Sequence, residues 1–272
     1  MKYVVFTIQA VFFMLTVAAQ AQQPFKDGYK VYYNMTFQRD TNDAQLTSEM
    51  TELLIGDNRS LFRTVLQAEK DTNRYHRDQI DHSLINVFTS ARYRILKNHE
   101  DQASHFYEVI EILGGPMCTY AEPRDSMGWF LTKDTLTIHG YPCQKAWLNY
   151  GNRLWEAWFT PDIPLSEGPY KFWGLPGLIV RIRDSKASWM FELHRIERVP
   201  AFTFDLWFLE DAEAMGKLDF YKRKRHHRDN QMEIYEAAGK IGPFESEAVR
   251  QRLFKKAKAH AAKDNNWIER YP

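Results

Sequence analysis

The sequence predicts a mainly β or α+β fold, with strands through most of the chain and an amphipathic helix near its C-terminus. Three observations carry this. Short segments alternate apolar and polar residues with a period of two, and clusters of Gly, Pro, Asn and Asp separate them. One late segment changes to a helical period. Tyr, Phe and Trp make up 15% of the chain, and such residues suit pleated, half-buried surfaces.

Tyr29 to Gln38 is the clearest strand. Tyr29, Val31, Tyr33, Met35 and Phe37 face one way, and Lys30, Tyr32, Asn34, Thr36 and Gln38 the other. Met50 to Ile55 and Ser60 to Leu66 flank Gly56-Asp57-Asn58-Arg59, a hairpin pattern. Residues 67–82 are strongly charged and polar and read as an exposed loop or a poorly ordered excursion; short apolar runs resume at Ile85 to Phe88 and Tyr93 to Leu96. His105 to Leu113 is stopped by Gly114-Gly115-Pro116. Cys143 to Tyr150 and Arg153 to Thr160 form an aromatic hairpin around Gly151-Asn152. Pro161, Pro164, Gly168 and Pro169 then impose a rigid loop, since proline fixes φ and removes a donor. Strands follow at Leu178 to Arg183, at Trp189-Phe191-Leu193 and from Phe202, and a short helix at Glu210 to Leu218. Phe244 to Ala261 is helical, with Val249, Leu253, Phe254, Ala257 and Ala261 on one stripe that should dock against the sheet. Many strands with few helices fit a β or α+β domain better than alternating α/β units.

Residues 1–21 have the layout of a secretory signal peptide. Lys2 gives the positive end, Val4 to Val17 the apolar run, and Ala19-Gln20-Ala21 the small residues before a cut. Residues 22–272 are then one β-rich domain with a helical C-terminal appendage, and no segment in them approaches a bilayer span. The leader holds one lysine and no acid, so its removal takes the formal charge from +1 to 0. A neutral chain is not drawn generally to nucleic acid. Export also bears on Cys118 and Cys143, the two cysteines present. An oxidising compartment would permit a disulfide between them; two buried free thiols are the alternative.

No polar constellation identifies a reaction. Gly174-Leu175-Pro176-Gly177 lacks the layouts of phosphate-binding loops and reads as a tight turn into a buried strand. Neither His-Glu-x-x-His nor Gly-x-Ser-x-Gly occurs. Ser166, Glu167 and His139 could be assembled into a hydrolase, but so could many random triplets. Lys222 to Arg228 is the sharpest basic run; it reads as a solvated charge run, or as a contact for phosphate groups, acidic glycans or a membrane surface. His226 and His227 inside it are poor joint metal ligands. No metal site and no cofactor is predicted. The aromatic side chains give a stronger hint. Trp158, Tyr170, Phe172 and Trp173 could line an apolar groove for a lipid, a peptide or an envelope-protein strand, although part of this set has to be core.

A resemblance enters through the middle of the chain. Ala157-Trp158-Phe159-Thr160-Pro161-Asp162-Ile163-Pro164 precedes Gly168-Pro169-Tyr170-Lys171-Phe172-Trp173, and Gly174-Leu175-Pro176-Gly177-Leu178-Ile179 spells GLPGLI. With Ile138 to Ala146 and its Cys143 upstream, residues 129–184 resemble the GLPGLI family of exported Bacteroidota proteins. Residues 28–128 match more loosely, and 198–272 have no specific match. The resemblance implies a curved antiparallel sheet, similar to periplasmic lipoprotein carriers, and a periplasmic or outer-envelope location. It also implies O-glycosylation at Ser126 and Thr135, in Asp125-Ser126-Met127 and Asp134-Thr135-Leu136. It supplies no activity.

The resulting expectation is a noncatalytic binding or assembly protein of the envelope. The alternatives are an envelope hydrolase with a site assembled only by the fold, and a structural partner of an outer-membrane complex.

Overall fold

The computed structural model describes residues 24–56, 58–75, 89–203 and 206–271. The predicted leader, residues 76–82 of the polar stretch and the apolar run Ile85 to Phe88 lie outside them. In chain order the strands are β1 (Pro24–Gln38), β2 (Leu46–Ile55), β3 (Arg59–Thr64), β4 (Arg94–Asn98), β5 (Ala103–Val109), β6 (Met117–Pro123), β7 (Phe130–Ile138), β8 (Tyr141–Tyr150), β9 (Arg153–Thr160), β10 (Leu178–Asp184), β11 (Trp189–Thr203) and β12 (Glu213–Ala214). The helices are α1 (Val65–Tyr75), α2 (Lys217–Asp229), α3 (Gln231–Ala237) and α4 (Glu247–Ala262).

All twelve strands join one sheet, ordered β12-β6-β5-β4-β3-β2-β1-β11-β10-β9-β8-β7. Its pairs are antiparallel except the short parallel contact of β12 with β6. The predicted alternation on β1 holds except at Tyr32: Val31, Tyr33, Met35 and Phe37 are buried and Asn34 is exposed, but Tyr32 on the other face is buried as well. β11 answers with Trp189, Phe191 and Leu193 on the same core. The sheet is curved. β6 and β8 stand near its opposite ends, yet the Tyr150 hydroxyl at the end of β8 donates to Glu122 of β6 at 2.6 Å.

The concave side is filled by the chain between β9 and β10. Tyr170, Phe172, Trp173 and Leu175 are all 1% exposed or less. Phe172 packs against Trp155 and Tyr150, with ring centroids 4.7 and 5.9 Å away. Its main chain is held from the strands. Lys97 of β4 donates to the carbonyls of Gly168 and Phe172 at 2.6 and 3.3 Å, and the Trp129 indole just before β7 donates to the Trp173 carbonyl at 2.8 Å. Such bonds are required when irregular backbone is buried.

Three expectations are corrected. The first half of the polar stretch is helix α1, not a loop, with Gln67, Ala68 and Asp71 buried. Its polar residues have partners: Asp71 accepts from Arg63 at 2.9 Å, from Gln67 at 3.0 Å and from Arg94 Nε at 2.9 Å. The expected short helix at Glu210 to Leu218 is replaced by a 3-10 turn at Trp207–Leu209 and by β12, because Glu213 and Ala214 pair with the free edge of β6. Cys118 and Cys143 form no disulfide; both are buried free thiols. The curve of the sheet joins β6 and β8 at Glu122 and Tyr150, but Cys118 and Cys143 lie four and seven residues back from that meeting point, and each thiol points to a carbonyl two residues before it, of Pro116 and Tyr141 respectively. Burial raises both thiols above their ordinary pKa, so neither is an activated thiolate.

Candidate functional site

Two of the buried polar clusters are held by the loop between β9 and β10, through Lys171 and Glu167, and a separate cleft opens between the sheet and the helical tail. The first cluster surrounds Lys171. Its ammonium meets Glu269 at 2.5 Å, the Tyr120 hydroxyl at 2.7 Å and Glu122 at 3.1 Å. Lys217, at the start of α2, adds contacts to Glu122 at 2.6 Å and Glu269 at 2.7 Å, and Tyr170 donates to Glu269. The inner loop, β6, α2 and the C-terminal segment thus converge on two lysines and two glutamates. Burial alone would raise the Glu269 carboxyl, but the Lys171 and Lys217 ammonium groups override it and hold it at about 2.

The second cluster holds Glu167. It accepts from Lys97 at 2.7 Å and from the Ser60 hydroxyl at 2.8 Å, and it meets His99 Nε2 at 2.8 Å. Lys97 also donates to the carbonyls of Gly168 and Phe172, at 2.6 and 3.3 Å. Burial would raise this carboxyl too, yet Lys97 and His99 bring it to about 2.

Both clusters make the fold sensitive to acid. The ordinary carboxyl value is 4.5, so these two groups have depressed folded-state values. The stability they contribute is complete above about 4.5 and lost as pH falls through about 2. The urea midpoint should stay level from neutral pH down to about 5 and then fall steeply. A midpoint that stays level to pH 2.5 would contradict this assignment.

The cleft lies between the sheet and the helical tail and has a volume of about 470 Å³. From the sheet side come Arg39, Arg92, Glu108, Ile110 and Ile112. From α2 and α3 come Lys224, His227, Arg228, Gln231 and Met232. From α4 and the segment after it come Leu253, Lys256, Ala257, His260, Ala261, Asp264 and Trp267. Helical spacing brings the α4 set together, since 253, 256, 257, 260 and 261 share one face. α4 starts at Glu247, three residues after the expected Phe244, because the Ser246 side chain caps it by accepting from Val249 N–H. Its apolar stripe does not dock tightly against the sheet, however: no residue of α4 is buried.

The basic run lies within helix α2, and it is not a bare charged surface. Lys224 pairs with Glu108 at 2.6 Å, and Arg223 with Glu111 and Glu213 at 3.0 and 2.9 Å. Arg228 donates to the Asp264 carbonyl at 3.0 Å. These pairs fasten α2 to β5, to the edge beside β6 and to the C-terminal segment. His227 turns inward and meets the Tyr235 hydroxyl at 3.1 Å, while His226 is exposed. Among the described residues, no group of three or more His, Cys, Asp or Glu side chains could hold a metal ion.

The aromatic residues singled out from the sequence lie elsewhere. Tyr170, Phe172 and Trp173 pack in the inner loop, and Trp158 on β9 is 9% exposed; none of them lines the cleft. Gly174 to Gly177 form the turn into β10, whose Leu178 and Ile179 are fully buried. Ser126 and Thr135 are exposed, the first in a 3-10 turn and the second on β7. Ser166, Glu167 and His139 do not converge. Glu167 is bound by Lys97 and His99, while His139 meets Glu192 at 3.0 Å on the exterior. Arg92 and Lys256 went unnoticed in the sequence, where neither belongs to a pattern. The stripe of α4 and the run holding Lys224 and Arg228 were the visible signals.

Among the described residues, no helix is long and apolar enough to cross a membrane. Residues 152–181, which include the GLPGLI turn, match the profile of a family described as a protein of unknown function (Porph_ging). The match fits a Bacteroidota family and does not reach GLPGLI specifically. No curated protein gives a significant sequence match. Two solved structures of PNGF-II, in space groups P21 and C2, are similar in fold. Each aligns with 74% of this chain at a TM-score of 0.54, with 14% and 13% identity. The aligned part is 34% and 33% of those chains, so this chain spans about a third of their length. At that identity the likeness concerns the fold alone.

Proposed function

We propose that the chain is a noncatalytic binding or assembly protein of the periplasm or outer envelope, of the GLPGLI family, whose ligand seats between the sheet and the helical tail. The observation that carries this reading is the cleft itself. Its volume of about 470 Å³ falls in the range of small-molecule sites, about 300–1,000 Å³, and it combines apolar walls with a few charged groups. The leader-like residues 1–21 and the GLPGLI turn support the location and the family.

The test uses the full chain expressed in a Bacteroidota host. The protein should be released from the periplasm or envelope fraction, and native mass spectrometry should show a bound mass above that of the polypeptide. Ala261→Trp, at a half-buried cleft position, should abolish that mass and leave the circular dichroism spectrum unchanged. Wild-type protein without any bound mass, or a variant that retains it, would remove the cleft from the proposal.

A further inference from the structure

An amphipathic helix gains most of its stability from burying its apolar face. α4 leaves that gain incomplete, because Leu253, Ala257 and Ala261 face the cleft and not one of its residues is buried. Ile112 and Met232 add apolar surface to the same space. These side chains give the cleft an apolar wall against which the chain of an occupant can lie.

The charges around it are unbalanced. Five cationic side chains line the cleft against two carboxylates. Three of the five are engaged: Lys224 with Glu108 at 2.6 Å, Arg39 with Asp264 at 3.5 Å, and Arg228 with the Asp264 carbonyl at 3.0 Å. Among the described residues, Arg92 and Lys256 have no ion pair. An occupant bearing only an anion would leave the α4 stripe uncovered, and a neutral lipid would leave these two cations unmatched.

We infer that the cleft holds one molecule of an anionic single-chain amphiphile. Its acyl chain lies along the stripe of α4, and its carboxylate or phosphate head is held by Arg92 and Lys256. This rests on the binding-protein reading above and narrows it to a ligand class.

Isothermal titration calorimetry of the full exported chain separates the two contributions, with myristate, monomyristin and inorganic phosphate as probes. Myristate should bind one to one. Monomyristin, which has the same chain and no charge, should bind at least tenfold more weakly, and phosphate should show no saturable binding. Arg92→Gln with Lys256→Gln should weaken myristate about tenfold and leave monomyristin unchanged. Lys256→Glu alone, on an exposed helix position, gives the same reading if the double variant does not fold.

Equal affinity for myristate and monomyristin would overturn the inference. So would indifference of myristate to the charge variants, or phosphate binding as tight as that of myristate. If no amphiphile binds but a co-purifying mass is still lost in Ala261→Trp, the ligand class falls and the binding reading stands. If neither binding is seen, both fall.

Discussion

Replacing Glu269 by glutamine should lower the unfolding free energy by about 3–5 kcal/mol, the usual cost of breaking a buried ion pair by removing one partner. Glutamine keeps the shape of the side chain and takes away its charge. Lys171, fully buried, would then share Glu122 with Lys217, leaving two ammonium groups against one carboxylate. The new amide would also present N–H donors to a site already filled by donors from Lys171, Lys217 and Tyr170. The rings of Tyr120 and Phe106, whose centroids lie 4.6 and 4.9 Å from the Lys171 ammonium, compensate only in part. Urea unfolding followed by tryptophan fluorescence measures the loss. Lys222→Gln is the matched control: its pair with Asp219 spans 3.6 Å with both side chains at least 70% exposed, so the midpoint should barely move. A Glu269→Gln midpoint equal to that of the control would mean that the C-terminal segment is not part of the cooperative fold.

Glu269 also shows why part of this molecule could not be read from its sequence. The β8–β9 hairpin was legible because its alternation and its Gly151-Asn152 turn are local and agree with each other. The same is true of β1 and of the stripe on α4. Lys171 and Glu269, by contrast, are 98 positions apart and Lys97 and Glu167 are 70 apart, and no local rule announces that such charges will be buried together. The basic run failed as a surface prediction for the same reason. Its partners Glu108, Glu111 and Glu213 come from other elements, so charge spacing within the run could not reveal them. The cysteines were misjudged because a pair in sequence says nothing of where the fold aims each thiol, and here each points to a carbonyl two residues before it. Half of the candidate site was visible, in the α4 stripe. The other half, Arg92 and the sheet-side wall, exists only once the curved sheet brings β1, β5 and the tail together.

The GLPGLI turn yields the second large effect, and it separates the two glycines of the motif. At Gly177 φ is +150°, and an added Cβ would lie 2.1 Å from the Thr160 carbonyl oxygen and 2.6 Å from its carbon. Those are backbone atoms of β9, which Leu178 pairs with directly, so neither side can give way without disturbing the sheet. Gly177→Ala therefore combines a disfavoured backbone conformation, about 1–3 kcal/mol, with overpacking of about the same size, and should cost roughly 3–5 kcal/mol in total. Gly174 also has a positive φ, +95°, but an added Cβ there meets no backbone, and its nearest neighbour is the Arg124 side chain at 3.3 Å. Gly174→Ala should cost only the conformational part, about 1–2 kcal/mol, because the arginine can move aside. Paired thermal unfolding of the two variants measures the difference. Equal losses would show that the motif is fixed by its positive φ angles alone; the larger loss at Gly177 would show that it is fixed by the close approach of β9 to the turn that enters β10.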